Sequence, residues 1–507
     1  MSAPATTPAA QVAPPARKGL PRWALFLIPV AVGLIIWAIG APDAFVSFVT
    51  DAVDKTTGEP KYDPEAAAHA WALLAIFVAT ILAIILKPLP MGALCMIGMA
   101  VIAAGGTLSI GDTLSGFANT TIWLIVMAFF ISRGVVKTGL GRRIALFFVA
   151  KLGRRPLGVA YGMALTDLVL APATPSNTAR AGGIIMPILT SISRQYGSEP
   201  NGPSARKVGA YFMQTAYIVN CVTSAMFLTA MAGNPLAQEL AAGQDITITW
   251  GNWALAAIVP GLVSLIAVPW VLLKVFPPEV KETPEAAAEA QRQLTELGPL
   301  HRNEWIMTGT IVVLLLLWTL GGPLMDMSAT TAALIGLSVL LLVNVLTWED
   351  VKKETQAWDT LVWFAALVMM ATFLNTLGLI PWVSSEMSAL TGGLPWMVAF
   401  AILTMVYWYS HYLFASNTAH ISAMYAAFLA TAVATGAPPL FAALVFAFIS
   451  NLFATLTHYA AGPAPVLFGT GYVPLNRWWT NGLVMSVVLI VIWTSVGTGW
   501  MALIGIL

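Results

Sequence analysis

The feature that most restricts this chain is its supply of long apolar windows. About 20 consecutive apolar residues cross ~30 Å of hydrocarbon, and apolar windows recur at 23–39, 69–87, 91–104, 117–136, 157–171, 207–231, 252–275, 305–320, 329–346, 360–380, 394–413, 421–448 and 482–505. Backbone inside a bilayer must satisfy its own hydrogen bonds, so windows of this length are read as helices. The expected fold is an all-α polytopic membrane protein of about ten to fourteen membrane elements, in which short or Gly/Pro-interrupted windows are half-helices or re-entrant hairpins. Composition agrees: 58% of residues are hydrophobic and 9% charged, against roughly a quarter charged in a soluble domain.

A net charge of +1 excludes the basic footprint of a nucleic-acid binder. The placement of the charges says more. Arg17, Lys18 and Arg22 precede the first apolar run, and Arg142, Arg143, Lys151, Arg154 and Arg155 cluster in LGRRIALFFVAKLGRRP, residues 140–156. The positive-inside tendency places both regions in the cytoplasm. Residues 1–22 read as a cytoplasmic tail and the first apolar run as a signal anchor, since it has no small-residue cleavage site; the expected location is a bacterial inner (plasma) membrane. Cys95 and Cys221 lie in apolar context without metal-ligand spacing, so both read as packing residues, and no metal site is expected. The polar stretch 277–304 reads as a partly helical cytoplasmic linker between a first membrane half, 23–276, and a second, 305–507.

Each half carries the same two-part signature. TPSNTARAGG (174–183) in the first is matched by FASNTAHISA (414–423) in the second. Each is followed by an Asn-led segment that ends in a Gly/Pro break: NCVTSAMFLTAMAGNPLA (220–237), with Gly233, Asn234 and Pro235, and NLFATLTHYAAGPAPV (451–466), with Gly462 and Pro463. Proline removes a backbone donor and clashes with the preceding turn, so Pro172, Pro175, Pro235, Pro463 and Pro465 are expected to interrupt helices. Interrupted backbone at membrane depth is tolerated around a cavity, and matching breaks in two halves point to a transporter's substrate site. A single Ser-Asn-Thr would be explained by small polar residues at helix interfaces. Two copies, one per half and each beside a break, favour a binding site.

Ser176, Asn177 and Thr178, with Ser416, Asn417 and Thr418, offer hydroxyl and amide donors, and the start of a half-helix adds free N–H groups and the positive end of its dipole. Each loop suits one carboxylate, so two loops brought together by inverted symmetry suit a small dicarboxylate or tricarboxylate. Arg180 and His420 each stand two positions after their Thr, and an intramembrane ionisable residue is a functional candidate. They read either as charge-compensating groups that replace metal ions, or as a snorkelling Arg180 and a neutral packing His420. Asp167 reads as a structural ion-pair partner for Arg180, or for Arg142 and Arg143. Thr223, Ser224, Asn234, Thr455 and Thr457 are second-tier contacts; His411, His458 and Tyr459 read as packing groups, and Trp478 and Trp479 as part of an interfacial belt. No cofactor is expected.

At these residues the chain resembles the divalent anion:sodium symporter (DASS) family, from about residue 65 to the C-terminus. LAPATPSNTARAGGIIMPI (170–188), NCVTSAMFLTAMAGNPLA (220–237), FASNTAHISAMYAAF (414–428) and LTHYAAGPAPVLFGTGYVP (456–474) are most similar to its exchanger branch. That branch includes bacterial citrate/succinate and tartrate/succinate antiporters and the plastid 2-oxoglutarate/malate translocator. The resemblance implies an inverted repeat with two re-entrant hairpins and broken helices, a scaffold domain plus a transport domain, elevator-type movement and a homodimer in the lipid bilayer. It implies that the two Ser-Asn-Thr loops bind substrate and that the regions of Gly233 and Asn234, and of Gly462 and Pro463, complete the site. Sodium-dependent members tend to offer a hydroxyl four residues before each tripeptide. Here Pro172 and Tyr412 stand there, which disfavours bound sodium and favours antiport of succinate, malate, 2-oxoglutarate, citrate or tartrate. Two alternatives are a sodium-coupled symporter and an intramembrane serine hydrolase using Ser416 with His420 or His411, although no G-x-S-x-G pattern surrounds either serine. A purely structural or receptor-like membrane protein would have no use for paired helix breaks.

Overall fold

The computed structural model describes residues 21–54, 58–391 and 395–507. Of the expected tail 1–22, residues 1–20 lie outside the described residues. Among those described, the only extended pairing is one isolated bridge between Val53 and Pro60, and everything else is helix and turn.

Eight helices among the described residues are long and apolar enough to span a membrane: Ala66–Leu86, Thr120–Thr138, Pro156–Ala173, Trp250–Val275, Arg302–Gly322, Thr355–Thr376, Pro439–Leu456 and Leu475–Leu503. Met91–Ala104 and Ala329–Leu342 are shorter apolar helices. The first apolar run bends by 66° between Trp23–Ile39 and Asp43–Thr50, where Gly40 takes a positive φ of 77° and Pro42 precedes the second piece. The window at 421–448 is corrected: its first helix ends at Ala434, Gly436 turns at φ 97°, and a new helix begins at Pro439. The long apolar runs on either side concealed the short Thr-Gly-Ala-Pro-Pro turn, residues 435–439, between them.

The proline expectation is also refined. Pro235, Pro463 and Pro465 do not stop helices in mid-course; they lie in the first turns of Gly233–Ala242 and Pro463–Phe468. There the missing N–H has no intrahelical partner to lose. Pro260 and Pro269 lie inside the uninterrupted helix Trp250–Val275.

Two packing groups emerge. Ala66–Leu86, Met91–Ala104, Thr120–Thr138, Arg302–Met325, Ala329–Leu342 and Thr355–Thr376 pack on one another, both as consecutive helices and across the two halves of the sequence. In the other group, Gly209–Met226 is the hub, packed on Pro156–Leu170, Trp250–Val275 and Pro439–Leu452. All of its residues are buried, on every face, which explains why its sequence shows no amphipathic stripe. In the first group, Gly116 abuts Thr355–Thr376 so closely that a Cβ there would lie 2.1 Å from the Ala365 carbonyl oxygen. Backbone on both sides cannot yield cheaply, so Gly116→Ala is expected to destabilise by about 3 kcal/mol, measured as a lowered Tm in detergent.

The polar stretch 277–304 is helical at Pro284–Leu297, and its last residues open Arg302–Met325. It is docked rather than free. Pro284–Leu297 packs along Leu140–Leu152, Thr283 Oγ1 donates to the Gly153 carbonyl (2.7 Å), Arg142 Nη2 donates to Gln293 Oε1 (3.0 Å), and Tyr196 bonds Glu285. Arg143 reaches Glu304 (2.6 Å) and the Gly298 carbonyl (2.8 Å). The basic cluster that marks orientation in the sequence thus also fastens the linker. Outside the membrane-spanning segments, the Lys137 ammonium 2.6 Å from Asp350 holds that carboxyl down at about 2, and Asp350 in turn caps the short helix Trp348–Lys353.

Candidate functional site

The two halves repeat one grammar of local structure. In each, a helix tightens into a 3₁₀ turn, Ala171–Ala173 or Ser410–Leu413, and then extends across the tripeptide loop. A helix restarts at the tripeptide and passes through a π-helical stretch, Ala179–Ile185 or Ile421–Tyr425, before continuing as α-helix. Both expected hairpins are therefore present. The Asn-led segments match as well: Gly209–Met226 breaks through Leu228–Ala230 into Gly233–Ala242, and Pro439–Leu452 breaks through Phe453–Leu456 into Pro463–Phe468.

Both serines cap the restarting helices. Ser176 Oγ accepts the Ala179 N–H at 3.1 Å and Ser416 Oγ accepts that of Ala419 at 3.4 Å. Ser176 and Asn417 are buried, while Asn177, Thr178, Ser416 and Thr418 keep partial exposure. Two helix N-termini with their remaining backbone donors thus sit at the tripeptides, a geometry that favours anions.

Each hairpin packs against the break of the other half, the first at its tripeptide and the second at the π-helical stretch just beyond its tripeptide. A Cβ on Gly462 would meet Thr178 Oγ1 at 2.2 Å, and one on Gly233 would meet Ile421 Cδ1 at 2.7 Å. Between the breaks, Asn451 Nδ2 donates to Asn234 Oδ1 at 2.7 Å, while Asn234 Nδ2 donates to the Ser224 (2.8 Å) and Phe227 (2.9 Å) carbonyls. The structure therefore brings Thr178 to Gly462 and the second hairpin to Gly233 and Asn234. Pro463 is buried beside them. Thr174 Oγ1, Asn220 Oδ1, Asn417 Oδ1, Asn451 Oδ1 and Thr457 Oγ1 are buried along these segments without a protein partner, although buried polar groups are normally paired. The residues present thus offer a concentrated set of polar groups to a small polar ligand.

Arg180 requires a correction. It neither snorkels nor stands as an uncompensated cation, for it is fully buried with Asp167. Its Nε donates to Asp167 Oδ1 (2.9 Å), Nη1 to the carbonyls of Thr174 (2.5 Å) and Ala230 (2.6 Å), and Nη2 to Ser224 Oγ (3.1 Å). Asp167 Oδ2 accepts from Asn220 Nδ2 (3.1 Å) and from Thr223. The guanidinium's rigid fork thereby saturates loop and break carbonyls that no helix can serve, and ties the first tip to the broken segment. The ion pair with Asp167 agrees with the reading from the sequence. The carbonyl partners were not legible, because a backbone acceptor has no sequence signature.

His420 is buried and stacked between Phe414 (ring centroids 4.4 Å apart) and Phe453 (4.5 Å). His411, read as a packing group, instead faces it, Nδ1 to Nδ1, at 2.9 Å. The nine-residue spacing spans a 3₁₀ turn and a loop, so no helical periodicity linked the two. His420 Nε2 meets Ser410 Oγ (3.3 Å) rather than Ser416, so the serine–histidine contact that a hydrolase at Ser416 requires is absent from the described hydrogen bonds of Ser416. Asn451 was also missed as a site residue; superposing the two Asn-led segments would have found it, opposite Asn220. Trp479 donates to His458 Nδ1 (3.1 Å) and Tyr459 to the Tyr412 carbonyl (3.0 Å). Trp478 is not interfacial: it is fully buried against Tyr217 (5.0 Å) and Phe468 (5.4 Å). Cys95 and Cys221 are buried and unbridged.

Comparison with known proteins places this geometry. The family model described as sodium:sulfate symporter transmembrane region matches residues 64–507. The chain is 56% identical over 483 residues to a putative malate transporter, YflS, of Bacillus subtilis, covering 95% of this chain and 96% of the relative. It is 44% identical to the chloroplastic dicarboxylate transporter 1 of Arabidopsis thaliana (95% and 83% covered) and 35% identical to an L-tartrate/succinate antiporter of Shigella sonnei (95% and 99%). Among solved structures, the YdaH transporter of Alcanivorax borkumensis shares the fold, with a TM-score of 0.58 at 13% identity over 94% of this chain and 98% of that one. The chain is a multi-pass membrane protein that belongs to the sodium:sulfate symporter family, the divalent anion:sodium symporters that its paired tripeptides resemble.

Proposed function

We propose that the chain is a secondary transporter that exchanges small di- or tricarboxylates, of the succinate, malate, 2-oxoglutarate, citrate or tartrate class, without sodium. The observation that carries the reading is the reciprocal packing of each hairpin on the other half's break, through Thr178 in the first and Ile421 in the second, with the two breaks joined by Asn451 and Asn234; it supports two anion-favouring helix starts serving one ligand. The names of the relatives, which include malate, dicarboxylate and L-tartrate/succinate, support the substrate class.

Sodium independence is supported by what occupies the loop oxygens. In a sodium-coupled carrier, carbonyls of this kind would ligate the ion. Here the Thr174 and Ala230 carbonyls accept from Arg180, and the Pro172 carbonyl accepts from Thr229 at 2.6 Å. Arg180 thus takes the place of a metal while Asp167 balances its charge. The charge-compensating role of Arg180 is then a local one, and His420 remains the candidate at the second tip.

Exchange follows from differential stabilisation. An empty carrier would take two rows of unpaired donors across the barrier, and a bound dicarboxylate satisfies them. The movement is of the elevator type, with the group around Gly209–Met226 travelling against the group around Thr355–Thr376, in a homodimer of a bacterial inner membrane with the N-terminus cytoplasmic. Proteoliposomes provide the test. Labelled succinate or malate should enter vesicles preloaded with dicarboxylate, fall to background in empty vesicles, and enter equally well in sodium or potassium. Uptake into empty vesicles driven by a sodium gradient would instead establish the symporter.

A further inference from the structure

The second hairpin holds two buried imidazoles, His411 and His420, of which the exchange reading uses only His420, as a candidate charge. Their Nδ1 atoms are 2.9 Å apart, so a single proton fits between them. The far end of the chain fixes its direction. His411 Nε2 lies 3.2 Å from the Ala460 carbonyl oxygen, which can only accept, so this nitrogen carries a hydrogen. At the near end, His420 Nε2 lies 3.3 Å from Ser410 Oγ, whose one hydroxyl hydrogen has a second acceptor in the Tyr407 carbonyl at 3.0 Å.

Two proton states follow, and each satisfies every group in the chain. In the neutral state Ser410 donates to His420 Nε2. In the singly charged state the hydroxyl turns to the Tyr407 carbonyl, and His420 donates to Ser410 while keeping the Nδ1 bond. A second excess proton has no place, because it would set two N–H groups against each other. The groups packed on His420 are the Phe414 and Phe453 rings and Tyr407, with ring centroids 4.7 Å apart. The Tyr407 hydroxyl is engaged with Ser450 Oγ at 2.8 Å, and Met424 Sδ lies beside Ser410. Tyr407 is thus the titratable neighbour of the pair, so the charge of a ligand can decide its state.

The charge balance of the site supplies the role. Arg180 and Asp167 are neutral as a unit. Each helix N-terminus acts as roughly half a positive charge, so the two tips together offset about one negative charge. A dianion leaves about one more, and one proton in the imidazole pair completes the balance. We propose that His411 and His420 form a one-proton site, taking a proton from bulk water when a dianion binds and returning it when the dianion leaves. His420 carries the charge beside the ligand. His411 and Ser410 are positioning residues that fix the tautomer and hold either state. Exchange of one dianion for another then moves no net proton. The proposal rests on the exchange reading above.

The test uses the full chain in lipid nanodiscs with L-tartrate, a probe that stays doubly ionised around neutral pH. Titration calorimetry in two buffers of different protonation enthalpy should give an uptake approaching one proton per tartrate at mildly alkaline pH, and the Kd there should weaken about tenfold per pH unit. His420→Gln should abolish both the uptake and the slope. Ser410→Ala removes the donor of the neutral state and also the acceptor of the charged one; the charged N–H loses more, so tight binding should give way at a lower pH than in the unmodified chain. If the unmodified chain binds tartrate with a pH-independent Kd and no proton uptake, the proposal is overturned, whether or not the variants fold. Counterflow in parallel separates the two ideas. Exchange of tartrate without proton uptake removes the proton site and leaves the carrier, whereas a chain that neither binds nor exchanges tartrate, succinate or malate removes both.

Discussion

Arg180→Ala is expected to destabilise the protein by about 3–5 kcal/mol, the usual consequence of stranding one partner of a buried ion pair. The loss has several parts. Asp167 keeps its buried charge without a counter-ion, the Thr174 and Ala230 carbonyls lose their donor, and Ser224 loses a bond. Arg180→Lys should recover little, because a compact ammonium cannot reproduce a planar fork that reaches four acceptors in different directions. The double variant Arg180→Met with Asp167→Asn removes both charges and should regain much of the Tm while remaining inactive in counterflow, since the loop carbonyls stay unserved. The measurements are Tm and monodispersity in detergent, followed by exchange in proteoliposomes. An Arg180→Ala protein with an unchanged Tm would show that the pair does not hold the first hairpin.

Asn234→Ala is expected to cost about 3 kcal/mol and to abolish exchange. Its side chain serves three partners, the buried Ser224 carbonyl, the half-buried Phe227 carbonyl and the buried Asn451 amide, and each buried group left unsatisfied costs about 1–3 kcal/mol. Relaxation of the break should recover part of that sum. The Asn234–Asn451 bond also joins the two breaks, so its loss frees one hairpin's seat from the other's. A double-mutant cycle with Asn451→Ala should give a coupling of about 1–2 kcal/mol. Additive effects would mean that the two halves are registered elsewhere.

The fold class and the two tripeptides were legible because they rest on local properties. Long apolar windows have one outcome in hydrocarbon, and Ser176 and Ser416 cap helices through their own Ala179 and Ala419 N–H groups, three residues on. The Gly233 and Gly462 breaks were legible as duplications. The window at 421–448 misled because the short turn at 435–439, exposed at Gly436, is averaged away between two strongly apolar helices. Trp478 misled because a belt tryptophan and a core tryptophan are the same residue until the neighbours are known.

By itself, then, the sequence determined that this chain is a helical membrane protein with one polar, helix-starting loop in each half, because capping, helix breaking and hydrophobic length are decided within a few residues. Tertiary structure alone decided what those loops face and where the charges end up. Thr178 reaches Gly462 across more than half the chain, Arg180 is satisfied by the carbonyls of Thr174 and Ala230 beyond the Asp167 pairing that the sequence already suggested, and His420 meets His411 Nδ1 to Nδ1. Backbone acceptors, imidazole orientation and close approach at glycine leave no mark in a residue pattern. They exist only once distant segments are packed together and water is excluded.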